Sequence, residues 1–199
     1  MTQIRSKGLP RAPKRMKLAE KKIRVFLDEL AGKKAAPGGG SAAALAGAMA
    51  ASLVVMVAEF TIGKEKYKDI NEEMEKVRNE GMNLKDELLE LVDEDTRAYL
   101  EVMKTKGGQA ATLKAAEVPL STAQKSLSVL KMAVWASEIG NQNLRSDAFC
   151  AIELATAAIY GALENVRVNL PYLKNQKVVN SLKDEIEEIL TGANQFVKS

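Results

Sequence analysis

The pattern of hydrophobic and polar positions along the chain is helical throughout. From residue 70 onward, steps of four and three residues define one register that is apolar at most positions: Ile70, Met74, Val77, Gly81, Leu84, Leu88, Leu91, Asp95, Ala98 and Val102. A sustained period of 3.5 residues is typical of a helix in a bundle. No alternating run bounded by turn dipeptides indicates a strand. We therefore predict an all-α fold, an up-and-down bundle of long helices.

Apolar spacing and helix-breaking residues predict further helices on both sides of this one. A first helix is expected over 17–31, with an apolar face made of Ile23, Phe26, Leu27 and Leu30. The glycine pair at 107–108 ends the long helix, a short helix follows, and Pro119 begins the next one in its first turn. Two more helices are expected, one ending before Pro171 and one over 178–196.

An alanine-rich segment follows the sequence Pro37-Gly38-Gly39-Gly40-Ser41. Its 17 residues 42–58 contain no charge, which is barely the length of a membrane span, and alanine is too weakly hydrophobic for a convincing one. We therefore predict a central helix that its neighbours cover on all sides, and no membrane contact. Because the side chains are small, other helices can approach closely, which also favours a dimer interface.

The composition removes several kinds of catalytic and metal site. The 199 residues contain no histidine and one cysteine, Cys150. A Ser–His or Cys–His triad is therefore impossible, and zinc would need an all-carboxylate site, so we expect no metal. Proton transfer must use Asp, Glu, Lys or Tyr. Because one cysteine cannot form an intramolecular disulfide, we expect a reducing, cytoplasmic location.

Positive charge is concentrated at the start of the chain. Residues 1–22 contain eight basic residues and one acid, a net charge of +7, whereas residues 23–199 sum to −4. We predict a flexible, solvated basic arm over 1–22 and a single helical domain over 23–199. A mitochondrial presequence and a segment that binds nucleic acid or another anionic surface are the alternatives for the arm.

One carboxylate interrupts the apolar register of the long helix. Asp95 occupies a position where the pattern expects a buried apolar side chain. A carboxylate there must be paired, hydrogen-bonded or shifted in pKa. It is therefore either a structural ion pair or helix cap, or a functional acid.

Three further segments carry candidate binding groups. The triplet Gly38–Gly40, with Ser41 as a helix cap, is either a tight turn or an anion site built from free N–H groups. Lys64 follows the end of the alanine-rich helix, where it either caps that helix or binds a carboxylate or phosphate. The segment 140–147 places amides, an arginine, a hydroxyl and an acid at a helix start, which is more than capping requires.

Together these motifs resemble the cyclodeaminase/cyclohydrolase family of tetrahydrofolate one-carbon metabolism, over about residues 25–190. The resemblance rests on short segments in a specific order: Pro37-Gly38-Gly39-Gly40-Ser41, Thr61 to Tyr67, Val92-Asp93-Glu94-Asp95 with Ala98-Tyr99, Val118-Pro119-Leu120, Gly140-Asn141, Arg145-Ser146-Asp147, and Asn165-Val166 with Asn169-Leu170. It implies an all-helical homodimer that acts on a tetrahydrofolate derivative, with no metal, no permanently bound cofactor and no nucleic-acid partner.

The resemblance also implies roles for individual residues. In a cyclohydrolase, water opens the methenyl bridge to 10-formyltetrahydrofolate; in a cyclodeaminase, N10 attacks the formimino carbon on N5 and ammonia leaves. By resemblance, Asp147 is the principal acid/base, Asp95 the second, and Lys64 stabilises a negative part of the folate or assists proton transfer. The substrate-binding residues implied are Gly38, Gly39, Gly40, Ser41, Asn141, Arg145, Ser146 and Asn165.

Three functions remain open from the sequence. We expect a methenyltetrahydrofolate cyclohydrolase, because single-domain members need not belong to histidine breakdown. Formiminotetrahydrofolate cyclodeaminase is the alternative within the family, since the two reactions differ by one leaving group. The third is a folate-binding helical dimer without catalytic activity.

Overall fold

Six α-helices joined by short connections make up residues 17–197, the part of the chain that this computed structural model describes. They are α1 (Ile23–Leu30), α2 (Gly39–Glu59), α3 (Asn71–Lys104), α4 (Gln109–Ile139), α5 (Arg145–Arg167) and α6 (Gln176–Val197). Short 3-10 turns lie at Leu18–Glu20, Glu65–Ile70, Gln142–Leu144 and Leu170–Tyr172. Within residues 17–197 there is no strand, which confirms the predicted all-α class.

The central helix of the bundle is α2, which packs against α3, α4 and α5. Ala44, Ala50 and Ala51 are completely buried in these contacts, as the alanine-rich composition predicts. One face of α2 is nevertheless open, since Met49 is 45% exposed and Phe60, just beyond the helix, is 55% exposed. The prediction that neighbouring helices cover α2 on all sides was therefore wrong for this face.

Two segments are long and apolar enough to cross a membrane by length and composition alone. They are Gly39–Glu59 and Gln142–Tyr172. In the first, 56% of the most apolar window is buried against the rest of the bundle. We interpret α2 as a core helix, because its apolar character is used in packing against three other helices.

The predicted register of α3 is confirmed. Met74, Leu84 and Leu88 are buried at successive positions of the register. Gly81 is also buried, and a Cβ atom there would lie 2.8 Å from Cγ2 of Val55 on α2. Glycine therefore lets α2 and α3 approach closely.

The first predicted helix differs from the structure in extent and in its buried face. A 3-10 turn and the separate helix α1 replace one helix over 17–31. On α1, Phe26 is buried, whereas Ile23 is 79% exposed. The apolar spacing was helical, but within the described part of the chain only part of the apolar face has a neighbour to pack against.

Part of the predicted basic arm packs against the bundle. Leu18 is buried, and its backbone N–H donates to Oδ1 of Asp93 on α3 at 2.7 Å. This contact ties residues 17–22 to the domain. Residues 1–16 of the predicted arm lie outside the described residues.

α4 is one continuous helix of 31 residues with Pro119 in its interior. The prediction of a short helix followed by a new one at Pro119 was therefore wrong. Proline has no N–H to donate, so the carbonyl oxygen of Ala115, four residues earlier, loses its helical partner. The side-chain amide of Asn169, which lies just beyond α5, donates a hydrogen bond to this oxygen instead. The helix continues because another element of the bundle replaces the missing hydrogen bond.

Candidate functional site

A cavity of about 770 Å³ lies where α2 begins and where α3 and α5 end. Its wall includes the loop before α2, the last turns of α3, the first turns of α4 and the segment that follows α5. The residues predicted from the sequence that line it are Gly38, Gly39, Gly40, Asp95 and Asn165. Three motifs that are far apart in sequence therefore meet in one place.

Asp95 lies directly against the first turn of α2. A Cβ atom at Gly40 would lie 2.0 Å from Oδ1 of Asp95, so a glycine is required for the carboxylate to occupy this position. The hydroxyl of Ser41 donates to Oδ2 at 2.8 Å. Because the first N–H groups of a helix have no partner within it, the positive end of α2 faces the carboxylate.

The environment of Asp95 changes its acidity. Burial raises the pKa of this carboxyl above its usual range, because the ionised form loses hydration in the cavity wall. Hydrogen bonds from the hydroxyl and the backbone N–H of Ser41 oppose this increase in pKa. The group lines a solvent-connected cavity and is within reach of a ligand, which is the arrangement of an acid/base residue.

Asn165 forms the opposite side of the glycine turn. Its Nδ2 donates to the carbonyl oxygen of Gly161 at 2.8 Å, which fixes the orientation of the amide. A Cβ atom at Gly39 would lie 3.4 Å from Nδ2 and 3.9 Å from Oδ1. Among residues 17–197, no donor is hydrogen-bonded to Oδ1, so this oxygen is available to accept one from a ligand.

The other predicted site residues lie at the far end of α2. This helix has 21 residues, and at about 1.5 Å per residue it is about 30 Å long. Lys64 follows the C-terminal end of α2, and Arg145, Ser146 and Asp147 form the first turn of α5. Within one chain, the structure therefore does not bring Asp147 or Lys64 to Asp95.

Asn141 links the far end of α2 to the start of α5. Its Nδ2 donates to the carbonyl oxygen of Phe60 at 2.8 Å, and its Oδ1 accepts from the backbone N–H of Asn143 at 3.2 Å. The residue is 5% exposed. Both polar atoms of the amide are thus used by the backbone, and the amide holds this connection in place.

Two basic side chains and a tyrosine surround this connection. The guanidinium of Arg145 lies over the ring of Phe149, with 5.3 Å between Cζ and the ring centre. Lys64 lines a separate depression with Asn71. The pKa of Tyr67 is lowered, first because the backbone N–H of Gln142 donates to its hydroxyl oxygen, and further by nearby lysines.

Residues 22–188 match the family model described as formiminotransferase-cyclodeaminase. The chain belongs to this family. The methenyltetrahydrofolate cyclohydrolase of Methylorubrum extorquens is 34% identical over 186 residues, which cover 86% of this chain and 89% of that relative. The formimidoyltransferase-cyclodeaminase of Gallus gallus is 30% identical over 193 residues, 89% of this chain but 36% of the chicken protein.

A solved structure in the same family has the same fold. The crystal structure of formiminotetrahydrofolate cyclodeaminase from Thermotoga maritima matches with a TM-score of 0.86 at 30% sequence identity. The match covers 88% of this chain and 91% of that chain. The family resemblance predicted from the sequence motifs is therefore confirmed, and so is the all-helical fold that it implies.

Several residues of this family member line the cavity but were not predicted as site residues. They are Tyr99, Lys106, Gln109, Thr112, Asn169, Tyr172 and Lys174. Helical spacing could have found two of them, since Tyr99 and Asn169 lie four residues after Asp95 and Asn165. The two lysines lie in connections between helices, and no local pattern places them together.

The cavity has the groups for proton transfer and hydrogen bonding. It offers one carboxyl, side-chain amides, hydroxyls and two ammonium groups. Within residues 17–197, no group of three or more His, Cys, Asp or Glu side chains lies close enough together to hold a metal ion. The chemistry that this wall can supply is therefore that of acids, bases and hydrogen-bond donors.

Proposed function

We propose that the chain is a methenyltetrahydrofolate cyclohydrolase, which opens the methenyl bridge of its folate substrate with water. The observation that carries the proposal is the carboxyl of Asp95, held against the start of α2 in the wall of a 770 Å³ cavity. A relative of that name aligns with most of the chain and is itself 89% covered. The substrate is a tetrahydrofolate derivative, and no permanently bound cofactor takes part.

The reaction needs three proton transfers in the cavity. Water adds to the methenyl carbon and gives up a proton, which leaves a tetrahedral carbon between N5 and N10. The bond to N5 then breaks, N5 takes up a proton, and the hydroxyl proton leaves as the formyl carbonyl forms on N10. One proton is released overall. Two carboxyl groups in different environments can divide these steps, and we assign them to Asp95 and Asp147.

Formiminotetrahydrofolate cyclodeaminase is the second candidate function. The specific observation in its favour is the TM-score of 0.86 with a protein of that name. The same wall would serve, because N10 attacks the formimino carbon and the intermediate is again a tetrahedral carbon between nitrogens. The leaving group is then ammonia, which takes a proton from the site as it departs.

We further propose that the protein is a homodimer that pairs the open face of α2. The face consists of seven partly or fully exposed side chains without charge: Ala42, Leu45, Ala46, Met49, Leu53, Met56 and Phe60. Apart from the adjacent pair Leu45 and Ala46, successive members are three or four residues apart, so they form one stripe along the helix. A second copy is the natural occupant, because a two-fold interface matches a surface with itself.

Such a dimer also explains why the predicted site residues are divided between the two ends of α2. If two copies of α2 pack antiparallel across a two-fold axis, the end of each helix lies beside the beginning of the other. Asp147 and Lys64 of the second copy would then approach the cavity that contains Asp95. Each active site would use both chains, and each dimer would have two sites.

The proposed function is tested by offering both substrates to the purified protein. Loss of methenyl absorbance, corrected for spontaneous hydrolysis, measures the cyclohydrolase; ammonia release from formiminotetrahydrofolate measures the cyclodeaminase. Asp95→Asn should lower kcat by about 10²- to 10⁴-fold, the range typical of a general acid or base. Asp86→Asn, an exposed aspartate on the same helix, is the matched control and should retain full activity.

Each outcome has a distinct meaning. Ammonia release without hydrolysis of the methenyl compound would replace the first candidate function with the second. Binding of tetrahydrofolate without either turnover would identify a non-catalytic folate-binding protein. Full activity of a folded Asp95→Asn variant would remove Asp95 from the mechanism.

A further inference from the structure

The chemical character of the cavity changes along α3. Asp95 lies at one end, Tyr99 and Val102 follow on the next two turns, and Lys106 lies just beyond the helix. From Asp95 to the end of α3 at Lys104 the helix rises by about 13 Å. The wall therefore passes from a carboxylate, through an aromatic and an apolar side chain, to a cation.

Lys106 is an exposed residue of the cavity lining and lies in a tight turn. Its φ angle is 52°, in the left-handed region that residues with a Cβ atom adopt rarely, and Gly107 follows with a φ of 82°. The N–H of Gly107 donates to the carbonyl oxygen of Val102 at 3.0 Å, and that of Lys106 to Met103 at 3.3 Å. The turn is thus closed onto the last turns of α3, with Lys106 in the cavity lining.

Gln109 holds the backbone of the segment that carries the second cation, Lys174. The side-chain Nε2 of Gln109 donates to the carbonyl oxygen of Tyr172 at 2.9 Å, and its Oε1 accepts from the backbone N–H of Lys174 at 2.8 Å. Gln109 begins α4, three residues after Lys106. One amide therefore joins the segment after α5 to the turn after α3.

Both lysines are available to an anion. Among residues 17–197, neither Lys106 nor Lys174 forms an ion pair with a carboxylate. They are also the cations among the described residues that line this cavity. Tyr172 and Val168 complete the apolar wall between these cations and Asn165.

We propose that Lys106 and Lys174 bind the carboxylates at the glutamate end of the folate substrate. The inference rests on the proposed function, because it needs a folate whose one-carbon unit lies at Asp95. In such a folate the p-aminobenzoyl ring separates N10 from the glutamate. The apolar and aromatic wall accommodates this ring, and the carboxylates then reach the cationic rim. Gln109 acts as a positioning residue, since it holds the backbone of Lys174 in place.

The test compares substrates with and without the tail. 5,10-Methenyltetrahydrofolate and the corresponding pteroate, which lacks the glutamate, are assayed for turnover. The Kd of each is measured by titration calorimetry in the Asp95→Asn background, where turnover is slow. For the double variant Lys106→Gln/Lys174→Gln we expect KM and Kd for the glutamyl compound to rise about five- to tenfold. The values for the pteroate and the kcat for both substrates should stay unchanged. Rising ionic strength should weaken binding of the glutamyl compound to the wild type.

A neighbouring lysine supplies the control. Lys104 lies at the end of α3, pairs with Glu101 and does not line the cavity, so Lys104→Gln should leave KM and Kd for both compounds unchanged. If the double variant affects both compounds equally, or neither, the proposal that these lysines bind the glutamate tail is wrong. Turnover by the wild type would still support the proposed function. A third outcome is that the wild type binds the glutamyl compound more tightly than the pteroate, the double variant loses this preference, and neither protein shows turnover. That outcome would overturn the proposed function but support the site for the glutamate tail.

Discussion

The side-chain amide of Asn169 donates to the carbonyl oxygen of Ala115 at 3.1 Å. This oxygen lacks its helical donor because Pro119 follows four residues later. The same nitrogen also donates to the carbonyl oxygen of Asn165 at 2.8 Å. That oxygen lacks its helical donor because the backbone N–H of Asn169 donates to the carbonyl oxygen of Val166 instead. Both hydrogens of one amide therefore satisfy carbonyl groups that two helices leave open beside the cavity.

Asn169→Leu should destabilise the fold by leaving these two acceptors without donors. We expect the free energy of unfolding to fall by about 1–3 kcal/mol, since each of the two hydrogen bonds typically contributes about 0.5–1.5 kcal/mol. Urea unfolding followed by circular dichroism measures the change.

A second substitution separates this explanation from a general packing defect. Pro119→Ala restores an N–H to the carbonyl of Ala115, so it should recover stability in the Asn169→Leu background beyond its effect in the wild type. Strictly additive effects of the two substitutions would show that the proline and the amide are not coupled.

Gly40→Ala should disturb Asp95 more than any other glycine-to-alanine change in α2 or α5. The added Cβ atom would lie 2.0 Å from Oδ1, so the carboxylate must leave its position beside Ser41. We expect a loss of about 1–3 kcal/mol in the free energy of unfolding, together with reduced turnover.

Gly161→Ala is the matched control for this substitution. Its Cβ would lie 3.5 Å from Cβ of Ala43, an ordinary contact, and it lies within α5. Alanine there should be neutral or stabilising by up to about 1 kcal/mol. If Gly40→Ala matched this control in thermal unfolding and in turnover, the close contact with Asp95 would have no energetic consequence.

The raised pKa of Asp95 makes stability depend on pH in a definite direction. Between its pKa in the unfolded chain and its higher pKa in the fold, the native state binds more protons than the unfolded state. Stability from this group is therefore present at low pH and declines as pH rises through the interval. The Asp95→Asn variant has no ionisable group at this position. Its free energy of unfolding minus that of the wild type should therefore be larger at about pH 7 than at about pH 4.

Urea titrations at a series of pH values, with Asp86→Asn as the exposed control, measure this difference. The stability difference between Asp95→Asn and the wild type should increase with pH, whereas that of the control should not. A difference that stays constant across the series would mean that the fold does not change the proton affinity of Asp95.

The sequence predicted the fold best where packing follows a local repeat. The register of α3 is correct over its whole length, because its side chains at 3.5-residue spacing face neighbouring helices. Ile23 on α1 shows the opposite case: its spacing is helical, but among residues 17–197 no neighbour covers it. By local rules Pro119 indicates a helix start, but the helix continues through it because Asn169, just beyond α5, supplies the missing hydrogen bond.

The site was predictable in part for the same reason. Asp95 interrupts an apolar register, so the sequence identified it as a candidate site residue. The glycine triplet, which Asp95 contacts, was also identified as a candidate. Asn165 near the start of α2 and Asn141 at its end show that α5 runs antiparallel to α2. This antiparallel arrangement separates Asp147 from Asp95, and no local sequence pattern predicts it. Lys106 and Lys174 were not predicted as site residues, because only tertiary packing brings their two loops together.

The proposed shared site makes a prediction that a monomeric site does not. Asp95→Asn and Asp147→Asn should each be inactive as pure proteins, because every dimer would contain two damaged sites. After mixing under conditions that allow subunit exchange, half of the dimers are mixed, and each mixed dimer contains one site with both aspartates intact. Activity should therefore recover to about a quarter of the wild-type value. Mixed samples no more active than the sum of the two parents would show that each site belongs to one chain.

The interface itself is tested by a charge on the open face of α2. Met49 lies in the middle of the stripe and is 45% exposed, so Met49→Glu adds little strain to one chain but places two like charges near the two-fold axis of the dimer. Sedimentation should show a shift from dimer to monomer while circular dichroism remains helical. Because the shared site needs the second copy, turnover should fall with the dimer fraction and rise again at higher protein concentration. Ser181→Glu, at an exposed position on α6, supplies the control for added charge away from α2. A variant that is monomeric and fully active would separate catalysis from dimerisation.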